Sequence, residues 1–180
     1  MPSGATHDRI TLWGLPWVVG LSYGTTLNGE LTLVVAGGYL FSGLMFGPDL
    51  DIYSVQFKRW GYLRWLWLPY RQLMSHRSVL SHGFMIGTVL RVLYLGLWLG
   101  LFSVVVVAIA QVLWGFAWNW QQFLIKILDG ITAHYWPMVV ATFVGLELGS
   151  MSHYGSDWIV SNIKKKFPKK TQNVVAKKIN

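Results

Sequence analysis

The chain contains no cysteine. That absence removes disulfides and thiolate metal centres together, so any bound metal must sit among nitrogen and oxygen ligands. Such ligands favour zinc, with manganese, iron or magnesium as alternatives, over cluster chemistry. Negative charge is scarce as well: seven Asp and Glu in 180 residues, against fifteen Lys and Arg. Charged residues make up 12% of the chain while 53% are hydrophobic, with eleven Trp. So few charges could not cover a soluble exterior, and a soluble core does not need so much apolar side chain. The composition predicts an integral membrane protein of one domain. The net charge of +8 invites a nucleic-acid reading, which the distribution of charge argues against. Seven lysines fall after Asn162, and five cationic residues (Lys58, Arg59, Arg64, Arg71 and Arg77) lie in one connection. Flanking apolar segments, they read as topology determinants and contacts with anionic lipid headgroups. The expected partner is the lipid bilayer, not nucleic acid.

Four apolar segments are predicted to span, at about 11–27, 31–47, 84–114 and 136–152, with no cleavable signal peptide expected before them. Pro16 falls early in the first and Pro137 in the first turn of the last, where a helix tolerates proline. The expected fold is all-α, an integral membrane helical bundle of about four spans. Between the second and third, residues 60–70 interleave three Trp and two Tyr with arginine. That mixture suits a helix lying in the headgroup layer. The basic second connection and the lysine tail place both termini in the cytoplasm, so residues 1–163 read as one membrane-embedded metal-site domain and 164–180 as a basic cytoplasmic tail.

The few acids and histidines are not scattered. They gather at His7-Asp8, Asp49-x-Asp51, His76-Arg77 with Ser81-His82, and His153-x-x-x-Asp157. The charge rule assigns all four places to the cytoplasmic face, without having been asked to bring them together. Asp49 and Asp51 follow Gly47-Pro48, which discourages continuation of the helix, so the two carboxylates belong to a turn that can face one cation or bridge two. His76 and His82 are six apart and cannot share a helical face, so at least one lies in a turn. His153 and Asp157 are four apart and share a face, as two ligands or as a ligand with its orienting carboxylate. The predicted ligands are His7, Asp49, Asp51, His76, His82, His153 and Asp157. Arg77 and Asp51 are the candidate catalytic groups, Arg77 because its fork can hold phosphate or carboxylate oxygens. Two charges fall inside spans, Arg91 and Glu147, and burying either alone would be expensive, so a mutual ion pair is expected. Each span also holds one Gly-x-x-x-Gly pair, read as close helix packing.

These residues resemble a bacterial family of predicted metal-binding membrane proteins, over about residues 2–160. The motifs that carry the resemblance are Ser3-Gly4-x-x-His7-Asp8, Gly47-Pro-Asp-Leu-Asp51, His76-Arg-Ser-x-x-Ser-His82 and His153-x-x-x-Asp157. More distantly the chain is similar to the membrane-bound metal-dependent hydrolase family, with an early His, Pro-Asp-x-Asp, His-Arg-Gly-x-Thr-His and a late His-x-x-x-Asp. Ser78 and Ser81 stand where that pattern has Gly and Thr, and the central histidines are further apart here. The resemblance implies a plasma or thylakoid membrane and a site for one or two divalent ions. Two functions follow as expectations. One is a metal-dependent hydrolase acting on an amphiphilic ester or phosphoester at the cytoplasmic membrane face. The other is a non-catalytic, metal-stabilised accessory or assembly subunit of a larger membrane complex, such as a photosynthetic one.

Overall fold

The computed structural model describes residues 4–166 except Arg77, with side chains described to residue 162. Every regular element among the described residues is helical. Helix α1 covers Gly4–Thr26 and α2 covers Gly29–Leu44, antiparallel across a two-residue turn. Asn28 sets that turn: its side chain accepts a hydrogen bond from the Leu31 amide, one of the orphan donors at the start of α2. A 3-10 turn at Pro48–Asp51 follows, then α3 (Val55–Arg59), a 3-10 segment at Gly61–Trp67, α4 (Leu68–Leu73) and α5 (Val79–His82). The long α6 (Ile86–Trp114) leads to α7 (Trp120–Gly130), a π-helical turn at Ile131–Tyr135 and α8 (Trp136–Lys166). Residues 115–135, the connection between the last two predicted spans, are therefore largely helical.

Helix α2 packs chiefly on α8 and α1. Its contact with α8 is made possible by Gly145 and Gly149, where an added Cβ would collide with the α2 backbone at Val35 and Tyr39. The other expected glycine pairs do not all behave alike: Gly20, Gly24, Gly96 and Gly100 face open space. Among the described residues two stretches are long and apolar enough to cross a membrane, Gly29–Asp51 and Ile86–Trp114, and most of the large apolar side chains of the latter are exposed. Helices α1 and α8 have the length, 23 and 31 residues, but not the apolarity. The glycine, serine, threonine and histidine residues that let α8 pack closely and reach the polar end also dilute its hydrophobicity. Helix α1 starts at Gly4, seven residues before the expected span, so Pro16 lies near its middle and not early in it.

The connection between α2 and α5 folds over one end of the bundle. Phe46, Leu50, Phe57, Leu66, Trp67, Tyr70 and Leu146 form its buried core. The aromatic segment is thus only half what was expected. Tyr62 and Trp65 point outward, while Trp67 and Tyr70 are fully buried and Trp60 donates from Nε1 to the Met45 carbonyl at 2.8 Å. A 3-10 helix repeats every three residues, so one side of the segment is given to the core and the other remains free.

The expected ion pair between Arg91 and Glu147 is not made. Arg91, fully buried on α6, donates to the Ser81 carbonyl (3.0 Å), Thr88 Oγ1 (2.9 Å) and Ser150 Oγ (2.8 Å). Glu147 Oε1 instead accepts from the Met85 amide (3.0 Å) and the Tyr154 hydroxyl (2.8 Å). Met85 has a left-handed φ of 59°, and the Glu147 carboxylate holds its amide where the chain turns from His82 into α6. Neutral dipoles meet each charge separately, leaving Arg91 Nε and Glu147 Oε2 without hydrogen bonds, and both charges brace the segment carrying His82 and Ser81.

Candidate metal centre

All seven expected ligands come to one end of the bundle. His7 enters from the first turns of α1, Asp49 and Asp51 from the 3-10 turn after α2, and His76 and His82 from the turn before α5 and its last residue. His153 and Asp157 come from one face of α8. Asp8 is diverted: both of its oxygens accept from the Arg59 guanidinium, which ties α1 to α3. Arg77 lies outside the described residues. His134 is exposed after α7 and takes no part.

Which ring nitrogen is free follows from proton bookkeeping. The Ser156 hydroxyl spends its one proton on the His153 carbonyl (2.7 Å) and lies 2.8 Å from His7 Nδ1. It can only accept there, so His7 carries its proton on Nδ1 and presents a bare lone pair on Nε2. The same logic applies at His82. Ser81 Oγ donates to the Ser75 carbonyl at 3.2 Å and therefore accepts from His82 Nδ1 at 2.8 Å. At His76 the acceptor is a carboxylate, with Asp51 oxygens 3.0 and 3.2 Å from Nδ1. Three imidazoles thus have Nδ1 engaged. The Nε2 atoms of His76 and His82 are buried with no hydrogen-bond partner, as are both ring nitrogens of His153.

The free atoms face carboxylate oxygens. His7 Nε2 lies 3.4 Å from Asp157 Oδ1, His153 Nε2 3.2 Å from Asp49 Oδ2, and His82 Nε2 3.9 Å from Asp49 Oδ1. His7 also stacks on His153 with ring centroids 3.9 Å apart. A lone pair held against a carboxylate oxygen is repulsive unless a cation lies between. A proton is a poor candidate for that cation at neutral pH. Burial pushes the His7 imidazole below the usual histidine range, and neighbouring His153 adds to the effect over the opposing pull of Asp157, Asp49 and Asp8. Burial lowers His82 too, against the pull of Asp51. Buried imidazole nitrogens set against buried carboxylate oxygens, most of them without hydrogen-bond partners, fit a divalent ion. Two sets of side chains could hold one: His7, His153 and Asp157, and Asp49, His76 and His82, the ligand atoms in each set lying within 4.8 Å of one another.

The depressed histidines carry a stability consequence. A group whose folded pKa lies below its unfolded value of about 6.5 contributes stability above that pH and loses it as pH falls, because the unfolded chain takes up the proton first. Metal-free protein should therefore melt at a lower temperature at about pH 5.5 than at about pH 7.5. The difference should shrink in His7→Gln, which keeps a polar side chain but cannot titrate. An unchanged difference in that variant would place the titration elsewhere.

Beside the cluster opens a cavity of about 240 Å³, whose walls include His7, Asp49, His153, Tyr53, Gln56 and Lys58. Lys58 sits over the Tyr53 ring, 4.7 Å from its centroid. Sequence reasoning missed Ser156, Tyr53 and Lys58. Ser156 did carry a signal, since it adjoins Asp157 on the His153 helix; the other two did not, because a turn tyrosine and a loop lysine are ordinary.

A match to a family model spans residues 2–167, and the chain belongs to that family, described as uncharacterized metal-binding protein (DUF2227). Among curated proteins, an uncharacterized protein of Aquifex aeolicus (strain VF5) is 36% identical over 59 residues, covering 32% of this chain and 41% of that protein. The chain thus matches less than half the length of that relative. No solved structure matches. The family is one of metal-binding proteins, and the geometry supplies the groups that would do the binding.

Proposed function

We propose that the protein is a metal-dependent hydrolase of the cytoplasmic membrane face, acting on an anionic amphiphilic ester or phosphoester. The observation that carries this reading is the set of imidazole nitrogens, buried, unpartnered and aimed at carboxylates, beside a cavity with a lysine in its wall. His7, Asp49, His76, His82, His153 and Asp157 would hold the metal, zinc being favoured by the donor set. Asp51 would act through His76 by holding its ring orientation and raising its basicity. A divalent ion in such a site polarises an oxygen of the substrate and lowers the pKa of water. Lys58, together with Arg77, the sequence neighbour of His76, would hold the anionic part of the substrate. The membrane reading is supported by α6, an apolar helix of 29 residues most of whose large apolar side chains are exposed. In the four-span arrangement both termini are cytoplasmic, and the site lies at the headgroup layer where an amphiphile presents its polar end.

The test separates chemistry from metal binding. Arg77→Ala should leave metal content unchanged and cut turnover of an anionic amphiphile by roughly 10²-fold, as loss of one charge-stabilising donor does. Arg77→Lys should recover only part, since a point charge does not reproduce a two-pronged contact. A second reading, the non-catalytic accessory subunit, is favoured by Trp13 and Trp17, one turn apart on α1 and 79% and 75% exposed. It expects no turnover by metal-loaded wild type across ester and phosphoester panels. It also expects co-purification with a larger membrane complex, lost in the Trp13→Ala, Trp17→Ala double variant.

A further inference from the structure

We propose that the site holds two divalent ions in unlike subsites bridged by the Asp49 carboxylate. One is a buried subsite at His7, His153 and Asp157, the other a more open subsite at His76 and His82. The proposal rests on the metal-binding reading and is independent of whether the protein hydrolyses anything.

The first argument is reach. An ion bound at about 2.0–2.2 Å to nitrogen and oxygen keeps its ligand atoms within about 4.4 Å of one another. The donors here fall into two groups whose ligand atoms lie within 4.8 Å of one another, a few tenths of an ångström wider than that, one of His7, His153 and Asp157 and one of Asp49, His76 and His82. Six side chains also exceed what one tetrahedral ion takes.

The second argument is the orientation of Asp49. Its two oxygens are directed to different groups, Oδ2 to His153 at 3.2 Å and Oδ1 to His82 at 3.9 Å. A carboxylate so placed is the natural shared ligand of a two-metal centre, where ions sit about 3.5–4 Å apart.

The third argument is that unpartnered atoms occur on both sides. His153 Nδ1 and Nε2 and Asp157 Oδ1 are buried without hydrogen bonds in one group, and Asp49 Oδ1, His76 Nε2 and His82 Nε2 in the other. A single ion would satisfy one group and leave the other desolvated and unpaired, an arrangement folded proteins avoid. His76 has in addition an orienting carboxylate, Asp51, at 3.0 Å from Nδ1. That contact is the outer-shell support characteristic of a metal-binding histidine.

The two subsites differ in access. His7, His153 and Asp157 are all buried, whereas Asp49, His76 and His82 are partly exposed. The buried subsite should fill first and release its ion slowly. The open one should exchange with solution.

The experiment uses the whole chain in detergent or nanodiscs, stripped of metal and titrated with Mn²⁺, with Zn²⁺ in a parallel titration. Bound metal is read by mass spectrometry and the ions' environment by electron paramagnetic resonance. Wild type should bind two Mn²⁺ per chain with a spin-coupled spectrum, and mild chelation should leave one. His76→Gln should retain the buried ion only. Asp49→Asn, nearly isosteric, should abolish the coupling and weaken the second ion by tenfold or more. One uncoupled Mn²⁺ per chain in saturated wild type would overturn the two-ion centre. Two ions whose coupling survives Asp49→Asn would overturn the bridge. Binding of neither Mn²⁺ nor Zn²⁺ would overturn the metal-binding reading itself. The wild-type stoichiometry decides the matter even if a variant fails to fold.

Discussion

Replacing His153 by alanine should abolish most of the stabilisation that metal confers, while changing the metal-free protein far less. His153 is 3% exposed, both of its ring nitrogens lack partners, and its Nε2 lies 3.2 Å from Asp49. In metal-free protein the imidazole contributes mainly its stack on His7. With metal bound it contributes a ligand to the most buried part of the centre. An ion at about 100 times its dissociation constant stabilises the folded state by about 2.7 kcal/mol, a gain that appears as a metal-dependent rise in melting temperature. In His153→Ala that rise should nearly vanish and bound metal should fall in parallel. His134→Ala, exposed and remote, should show the wild-type rise. An undiminished rise in His153→Ala would remove α8 from the metal centre. Melting curves with and without metal, combined with metal analysis, measure both quantities.

Arg91→Leu should destabilise the fold by about 3 kcal/mol or more, since buried hydrogen bonds from a charged donor are worth about 1.5–3 kcal/mol each. Three acceptors depend on this guanidinium: the Ser81 carbonyl, Thr88 Oγ1 and Ser150 Oγ. The two hydroxyls can turn to each other or to Ser42, which is already 3.0 Å from Ser150. The Ser81 carbonyl has no such recourse. Ser81 also fixes the tautomer of His82 through the 2.8 Å contact to Nδ1, so the damage should extend to metal occupancy. Arg91→Lys should recover only part of the stability, because an ammonium cannot present two separated nitrogens to α5 and α8 at once. Thermal unfolding of the two variants checks the order wild type, lysine, leucine. Equal melting of leucine variant and wild type would mean that the network is not holding α5 to α6 and α8.

Much of the site was legible because ligand chemistry leaves few residue types to choose from. With no cysteine and only five histidines and seven acids, any metal centre had to draw on nitrogen and oxygen ligands, and His7, Asp49, Asp51, His76, His82, His153 and Asp157 were the candidates. The count of four apolar segments predicted one end for those residues, and the packing of α1, α2, α5 and α8 is what brings them together there. The all-helical character and the turn at Pro48 followed from the same sequence, because proline and short polar gaps break helices locally.

What the sequence could not settle is whatever depends on distance through space. The roles of the two aspartates could not be separated by Asp-x-Asp spacing. The 3-10 turn aims Asp51 at His76 and leaves Asp49 between His82 and His153, a division made by the approach of α5 and α8. Ser156 became a histidine's partner only when α8 met α1, 149 residues away in the chain. The pairing of Arg91 with Glu147, plausible from charge alone, yielded to serine, threonine and backbone acceptors that the packing brought nearer. Half of the aromatic segment, amphipathic by composition, was taken into the core because Phe46, Leu50 and Leu146 offered it an apolar surface. Residue types determined what chemistry the chain can support; the meeting of α1, α2, α5 and α8 decided which atoms face each other, since short-range contacts between remote segments exist only after packing.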